Sequence, residues 1–378
     1  GFALDRGASW IHGIEGSPIF ELVTAADKRG DIIVTNQESS VTYDANGNNA
    51  DERVGEFWDE MDKNFKEIYD EKKSEAGDDD SFELAVKEYM DKYVKTEEDT
   101  ENFYYYVYWQ YVLDDAADAK YVSLKYRDQF AEYPSVEVAF RSGYHQVIDY
   151  LEYGLDIQKE HVVTKMDYSN PEVIVSFQDA AGEQTSLADY VVSTLPLGVL
   201  KGKTETKVVF SQSIKDKSPK KQNAIDHLDI GVYNKVYYIF DEKDVFWKVD
   251  KDKDWISRIP GKDEKMGQWD VFFNFYKYTG KPILLAFNSG NYSRQLNEEA
   301  SAKYPQEKKK QDEYIANKGL EILQKIYPNE TVPPISNVKT LVTTWEREPY
   351  FGGSFSYFTK GATPSDFDEL ARPLSNAD

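Results

Sequence analysis

GVYNKVYYIF, residues 231–240, is the stretch on which the fold turns. It strings β-branched and aromatic residues together with one lysine, Lys235, near its start. That composition predicts a strand with a single cation set into an apolar surface. VFFNFY (271–276) and PILLAF (282–287) repeat the composition, so the three segments predict a sheet of aromatic-rich strands. Beyond them, Ile315, Gly319, Ile322 and Ile326 recur at helical spacing across 306–327, and Pro328 stops that helix. A last strand, VKTLVTTW (338–345), leads into a loop rich in glycine and aromatics.

Upstream of that stretch the period changes twice. DIIVT (31–35) and VTYD (41–44) predict short strands in a hairpin region, with Asn46-Gly47 as a turn. Val54, Phe57, Trp58, Met61, Phe65, Ile68 and Tyr69 then recur at three and four, one face of a helix. GDDD (77–80) interrupts, and Asp80 with Glu83 predicts a capping box opening a second helix, with Phe82, Ala85, Tyr89 and Tyr93 on one side. NFYYYVYWQYVL (102–113) is apolar nearly all round and predicts a buried helix, although its aromatics would also suit a strand. VVTK (162–165), VIVSF (173–177) and DYVVSTL (189–195) return to strand character. These irregularly alternating blocks predict α/β and α+β parts interleaved in one chain.

Composition narrows the function classes. The 378 residues are 40% hydrophobic and 15% aromatic, enough for about two domains at roughly 100–200 residues each. No run approaches the ~20 apolar residues of a membrane helix. Sixty-eight Asp and Glu against 45 Lys and Arg give a net charge of −23, a surface that repels nucleic acid and anionic lipid and favours cationic partners. Without cysteine there is no disulfide, thiolate metal site or cysteine nucleophile. His12, His145, His161 and His227 are too scattered for metal ligation, and no hydrolase elbow, zinc-protease helix or phosphate-cradling loop is present. The sequons Asn291-Tyr292-Ser293 and Asn329-Glu330-Thr331 suit a secreted protein, and a cytoplasmic one stays equally open.

Four segments stand apart: LDRGASWIHGIEGSPI (4–19), DYVVSTLPLGVLKG (189–202), GVYNKVYYIF through VFW (231–247), and TTWEREPYFGGSFSYFTKGATPSDFDELARP (343–373). Small residues before a large aromatic suit a loop lying against a flat ligand. A strand end fixed by Pro196 suits a ligand-facing turn. Singly, each is as well explained by packing or by a solvated lysine. In this order they resemble the flavin-dependent amine oxidase family, closest to polyamine oxidases and related to monoamine oxidases and flavin-dependent histone demethylases.

The resemblance implies a two-domain fold holding FAD between a Rossmann-like domain and a substrate domain of mixed sheet flanked by helices. On this chain it places a partial FAD-binding domain in 1–50, 136–205 and 340–378, and the substrate domain in 51–135 and 206–339. It implies amine oxidation by hydride transfer to the flavin, with Lys235 holding a water beside it. The substrate walls map to His12, Tyr233, Trp345, Phe355 and Tyr357, with a second acidic position at Asp114 or Asp115. FAD contacts map to Gly7, Ala8, Ser9, Trp10, Leu195, Pro196 and Leu197, and to Val163 at the adenine end. A spermine- or spermidine-like substrate fits the acidic charge.

The chain also departs from the pattern. The family's opening strand, GxGxxG turn and helix would lie about 40–50 residues before Gly1, the length of one βαβ unit. The closing Gly-Glu FAD segment would come after about Pro373, where the chain instead ends in LSNAD. Two expectations result: part of an active polyamine oxidase, or a flavin-free relative acting as a structural, assembly or polyamine-binding protein. A stable product lacking half of the FAD domain would need a partner chain covering the absent half or a rebuilt edge, because an unpaired parallel strand exposes apolar surface.

Overall fold

The structure is a computed structural model describing residues 3–130, 132–264 and 267–374; the chain end from residue 375 lies outside it. Its centre is a six-stranded sheet in the order Lys339–Val342, Tyr233–Ile239, Ile283–Ser289, Val271–Asn274, Trp255–Arg258, Ser40–Tyr43. Neighbours are antiparallel except the last pair, which is parallel. Both faces are covered, so its strands read as near-continuous apolar runs rather than alternating ones. One face (Tyr237, Leu285, Phe287) packs on helices from the 51–115 block; the other (Val236, Tyr238, Leu284, Ala286) packs on Gly290–Lys303 and Lys308–Ile326. Gly319 is needed where the last helix crosses the sheet: a Cβ there would stand 2.1 Å from the Tyr238 hydroxyl, which donates to Ala316 O.

The expected acidic helices form at Asp51–Glu75, Glu83–Tyr93 and Glu97–Val107, the first burying Met61, Phe65, Ile68 and Tyr69. The capping box falls elsewhere than expected. Asp80 accepts from Gly77 N and leaves Phe82 as an uncapped helix start, while Thr96 and Asp99 make the reciprocal box. The aromatic run widens into a π turn at Tyr108–Val112 and one more turn at Leu113–Asp115. The chain then reverses at Ala116, φ 51°. π turns recur at functional sites because the extra residue re-aims the side chains beyond it; here those are Asp114 and Asp115.

Three small sheets complete the fold. Trp10–Ile11, Glu137–Phe140 and Ile32–Thr35 form one. Ser356–Tyr357 pairs with Asp229–Ile230. Gly182–Ala188, Val173–Asp179, Val162–Asp167 and Val209–Phe210 form the third. DIIVT and VTYD both form strands but join different sheets, and Asn46-Gly47 makes the expected turn, folding Tyr43 back onto Asn49. The strand expected at 189–195 is also absent, and its place in the four-stranded sheet is taken by Gly182–Ala188. Strand propensity without a pairing partner leaves hydrogen-bonding groups open, and Tyr190 and Val192 are accordingly 90% and 88% exposed. VFFNFY is strand only to Asn274, and VKTLVTTW only over Lys339–Val342, so Trp345 sits in a 3-10 turn. The sequon at Asn291 lies inside a helix with Ser293 fully buried, whereas Asn329 is exposed.

Asp270 gives the fold a pH dependence. Fully enclosed beside Arg258, it has its pKa raised by burial to about 7, with Arg258 opposing and Glu264 adding to the rise. The folded chain therefore holds a proton that the unfolded chain has shed above its ordinary value near 3.8. Stability from this group is present at low pH and falls as pH climbs toward 7. Asp270→Asn is expected to raise the urea midpoint at pH 8 more than at pH 5; an equal shift at both would refute the assignment.

Candidate active site

Lys235 lies on the central strand, opposite Phe287 and on the same face as Tyr233 and Tyr237. It is 5% exposed. Its Nζ lies 2.5 Å from Gly7 O, 2.5 Å from Ser9 Oγ and 3.4 Å from Asp5 O, and 5.8 Å from the Trp10 ring centre. Burial lowers its pKa to about 8, with the charge of Asp5 opposing. Two carbonyls and a hydroxyl suit either protonation state. An ammonium donates to all three; a neutral amine donates to the carbonyls while the Ser9 hydroxyl turns to donate to its lone pair.

The rings form one continuous series. Trp10 lies 5.1 Å edge-on to Phe273 and 6.1 Å from Phe287; Phe287 lies 5.4 Å from Tyr233, and Tyr233 lies 6.0 Å from Phe355. Trp10 is fixed by Nε1 donating to Thr35 Oγ1 at 3.2 Å. Trp345 is fixed by Asn234, whose Oδ1 accepts from its N–H at 2.9 Å and whose amide donates to Ser293 and Glu346. Trp345 closes on the loop from the other side, 3.7 Å from where a Gly7 Cβ would stand, and lies 5.0 Å from Phe351. Gly198 in turn abuts Phe351 and Gly352 so closely that a Cβ would meet Phe351 O at 2.0 Å. That contact brings the Leu195-Pro196-Leu197 turn to the Trp345 side.

The ring series opens on a cavity of about 450 Å³ lined by Gln110, Asp114, Asp115, Arg127, Phe355 and Tyr357, among others. Asp115 is neutralised by Arg127, 3.1 Å away and stacked over Tyr111 and Phe82. Asp114 forms no ion pair or hydrogen bond among the described residues, although the charges of Arg127 and His12 reach it. The surrounding protein and the charge of Asp115 raise its pKa to about 6. The sequence left Asp114 and Asp115 as alternatives; the free carboxylate is Asp114. His12 is exposed, within reach of the Asp114 charge, its Nδ1 2.9 Å from Glu137, which raises its pKa.

The structure thus brings Gly7, Ser9, Trp10, Tyr233, Lys235, Trp345, Phe355, Tyr357 and Asp114 into one connected region. Ala8 is exposed on the loop beside them. Val163 lies apart on the four-stranded sheet, paired with Phe177. Sequence reasoning missed Asp5, Phe287, Arg127 and Glu137. Phe287 was recoverable once its strand was paired with that of Lys235. The other three meet their partners across 12 to 232 positions of sequence, and no local pattern announces them.

A flavin fits one end of this arrangement. The bare Gly7 backbone, Lys235 and the adjoining Trp10 and Trp345 rings offer a flat-ligand surface, with the Arg6 guanidinium 6.0 Å over Trp345 and paired with Glu348. The diphosphate end finds no counterpart, since no glycine-rich turn from strand to helix N-terminus occurs among the described residues.

Comparison with known proteins places the molecule in a class. The profile of the family described as flavin containing amine oxidoreductase matches residues 1–377, and the chain belongs to that family. It is 28% identical to Polyamine oxidase 2 of Arabidopsis thaliana over 393 positions, covering all of this chain and 72% of that protein. Polyamine oxidase 3 of Oryza sativa subsp. japonica is 26% identical, with 100% and 73% covered. Lysine-specific histone demethylase 1 homolog 3 of Arabidopsis thaliana is 30% identical over 271 positions, covering 69% of this chain and 15% of that protein.

Proposed function

We propose that this chain carries the amine-binding half of an FAD-dependent polyamine oxidase acting on a spermine- or spermidine-like substrate, giving an aminoaldehyde and hydrogen peroxide. The observation that carries the proposal is the buried Lys235 at the inner end of an aromatic series whose outer end is the unpaired Asp114. A thin aliphatic chain suits flat walls, an ammonium group suits a carboxylate with no internal cation, and aromatic faces add cation–π attraction. Flavin, when bound, supplies the acceptor for the hydride. Lys235 in its neutral form orients a water or takes a proton at Nζ, and Gly7 O and Ser9 fix where Nζ stands. Tyr233 and Phe355 exclude bulk water from the path. The apolar surface at Tyr190 and Val192 is where the dinucleotide-binding unit of this fold would pack.

A flavin-free role is favoured by one observation: every donor on Lys235 is already taken by the 5–9 loop. The two readings separate in a peroxide assay. Purified protein supplied with FAD and a panel of di-, tri- and tetra-amines is expected to release hydrogen peroxide with the longer amines; none with any amine refutes the oxidase.

Asp114 sets the expected pH response. With its pKa at about 6, it is charged at neutral pH and loses its charge as pH falls through 6. KM for the amine should therefore rise below pH 6, a change separate from the fall in kcat that protonation of Lys235, with its pKa at about 8, produces below pH 8. Asp114→Asn is expected to raise KM about tenfold at pH 7.5, the equivalent of ~1.4 kcal/mol, and to flatten that pH dependence. A parent-like pH profile in the variant would remove Asp114 from substrate binding.

A further inference from the structure

A second cavity of about 250 Å³ lies behind the first, lined by Ala116, Asp118, Lys203, Asp229, Asn291 and Arg294, among others, and by Tyr357, which it shares with the amine cavity. Consecutive residues divide the two spaces: Asp114 and Asp115 line the first, Ala116 to Asp118 the second. Tyr357 is the wall between them. It is only 4% exposed, yet its hydroxyl has no hydrogen-bond partner among the described residues. Burial raises its pKa, with Asp229 adding and Arg294 opposing, so both charges of the second space reach it.

The charges in this cavity are matched only in part. Lys203 pairs with Asp229. Arg294 gives one hydrogen bond, from Nη2 to the backbone oxygen of Ile230 at 2.9 Å, and has no carboxylate partner among the described residues. Asp118 accepts from the backbone N–H of Asn291 at 2.9 Å, at the start of the helix Gly290–Lys303, and has no cationic partner there either. Gly290 is required for this approach: its φ is 61°, and a Cβ would stand 2.5 Å from Asp118 Oδ1. The Asn291 side-chain amide has no partner among the described residues. One small space therefore holds a guanidinium without a carboxylate partner, a carboxylate without a cation, a free amide and an unpartnered hydroxyl, all of them within reach of solvent.

We propose that this second cavity binds a small zwitterion of the ω-amino acid class, its carboxylate on Arg294 and the Tyr357 hydroxyl and its ammonium on Asp118. A simple anion would leave Asp118 to solvent, and a simple amine would leave Arg294 so; only a molecule bearing both charges pairs both. Because Tyr357 also walls the amine cavity, a ligand held by its hydroxyl fixes that wall in place.

The test is calorimetric titration of the protein with β-alanine and γ-aminobutyrate, with propylamine and propanoate as single-charge controls. It needs no turnover, so it is separable from the oxidase reading. At least one amino acid is expected to bind about tenfold or more tighter than either control. Asp118→Asn keeps the acceptor for Asn291 N–H and removes only the charge; it should erase that margin, as should Arg294→Gln, with urea midpoints confirming that both variants fold. Asp114→Asn, in the neighbouring cavity, should leave amino-acid affinity unchanged. Equal binding of propanoate and the amino acids, binding of none of the four compounds, or parent-like affinity in both folded variants would each overturn the proposal.

Discussion

Lys235→Met is expected to lower kcat for amine oxidation about 10²–10³-fold, the range by which a positioned proton-handling group acts, while KM changes little. Methionine matches the length of the lysine stem and fills its place, but it cannot orient a water. The substitution also leaves Gly7 O and Ser9 Oγ without their buried partner. The 5–9 loop should then exchange its amide hydrogens faster than in the parent, a change that distinguishes a lost clamp from a lost proton carrier. In the parent, log kcat should rise with pH and level off near 8, because burial lowers the Lys235 pKa to about 8. Unaltered turnover in the variant would show that Lys235 only holds the loop.

Asp254→Ala carries the largest expected cost in stability. Asp254 is fully buried, accepts from Asn36 N at 2.8 Å, and also holds Lys277 and the Tyr278 hydroxyl. Its carboxylate thereby ties the segment before Ser40 to the central sheet and to the turn at Tyr276–Thr279. Removing one partner of a buried ion pair leaves the others unpaired and costs about 3–5 kcal/mol. Chemical denaturation is the measurement, and a loss near zero would mean that solvent reaches the site. Asp254→Asn, which keeps an acceptor, should lose less.

How much of this was legible in the sequence depends on how far apart the partners lie. The strand of Lys235, the helix ending at Pro328 and the buried aromatic helix all form close to where periodicity placed them, because each is specified by residues within one or two turns. The strand at 189–195 failed for the opposite reason. A strand needs a neighbour, and composition alone does not name it. The site shows the same division. Gly7, Trp10, Tyr233, Trp345 and Lys235 stood out from motif order, and the structure gathers them around one strand. The clamp of Asp5 O on Lys235, the Asp115–Arg127 pair that leaves Asp114 free, and the free Tyr357 hydroxyl are products of tertiary contact.

The central claim is that a flavin, when bound, lies against the face made by the 5–9 loop, Lys235 and Trp345, with an amine opposite it. Anaerobic addition of spermine to the FAD-supplemented protein, followed in the visible flavin band, tests it directly. The expected result is that the band bleaches, returns on admitting oxygen, and bleaches far more slowly in Lys235→Met. An unchanged band, with the FAD passing freely through a gel-filtration column, would contradict it.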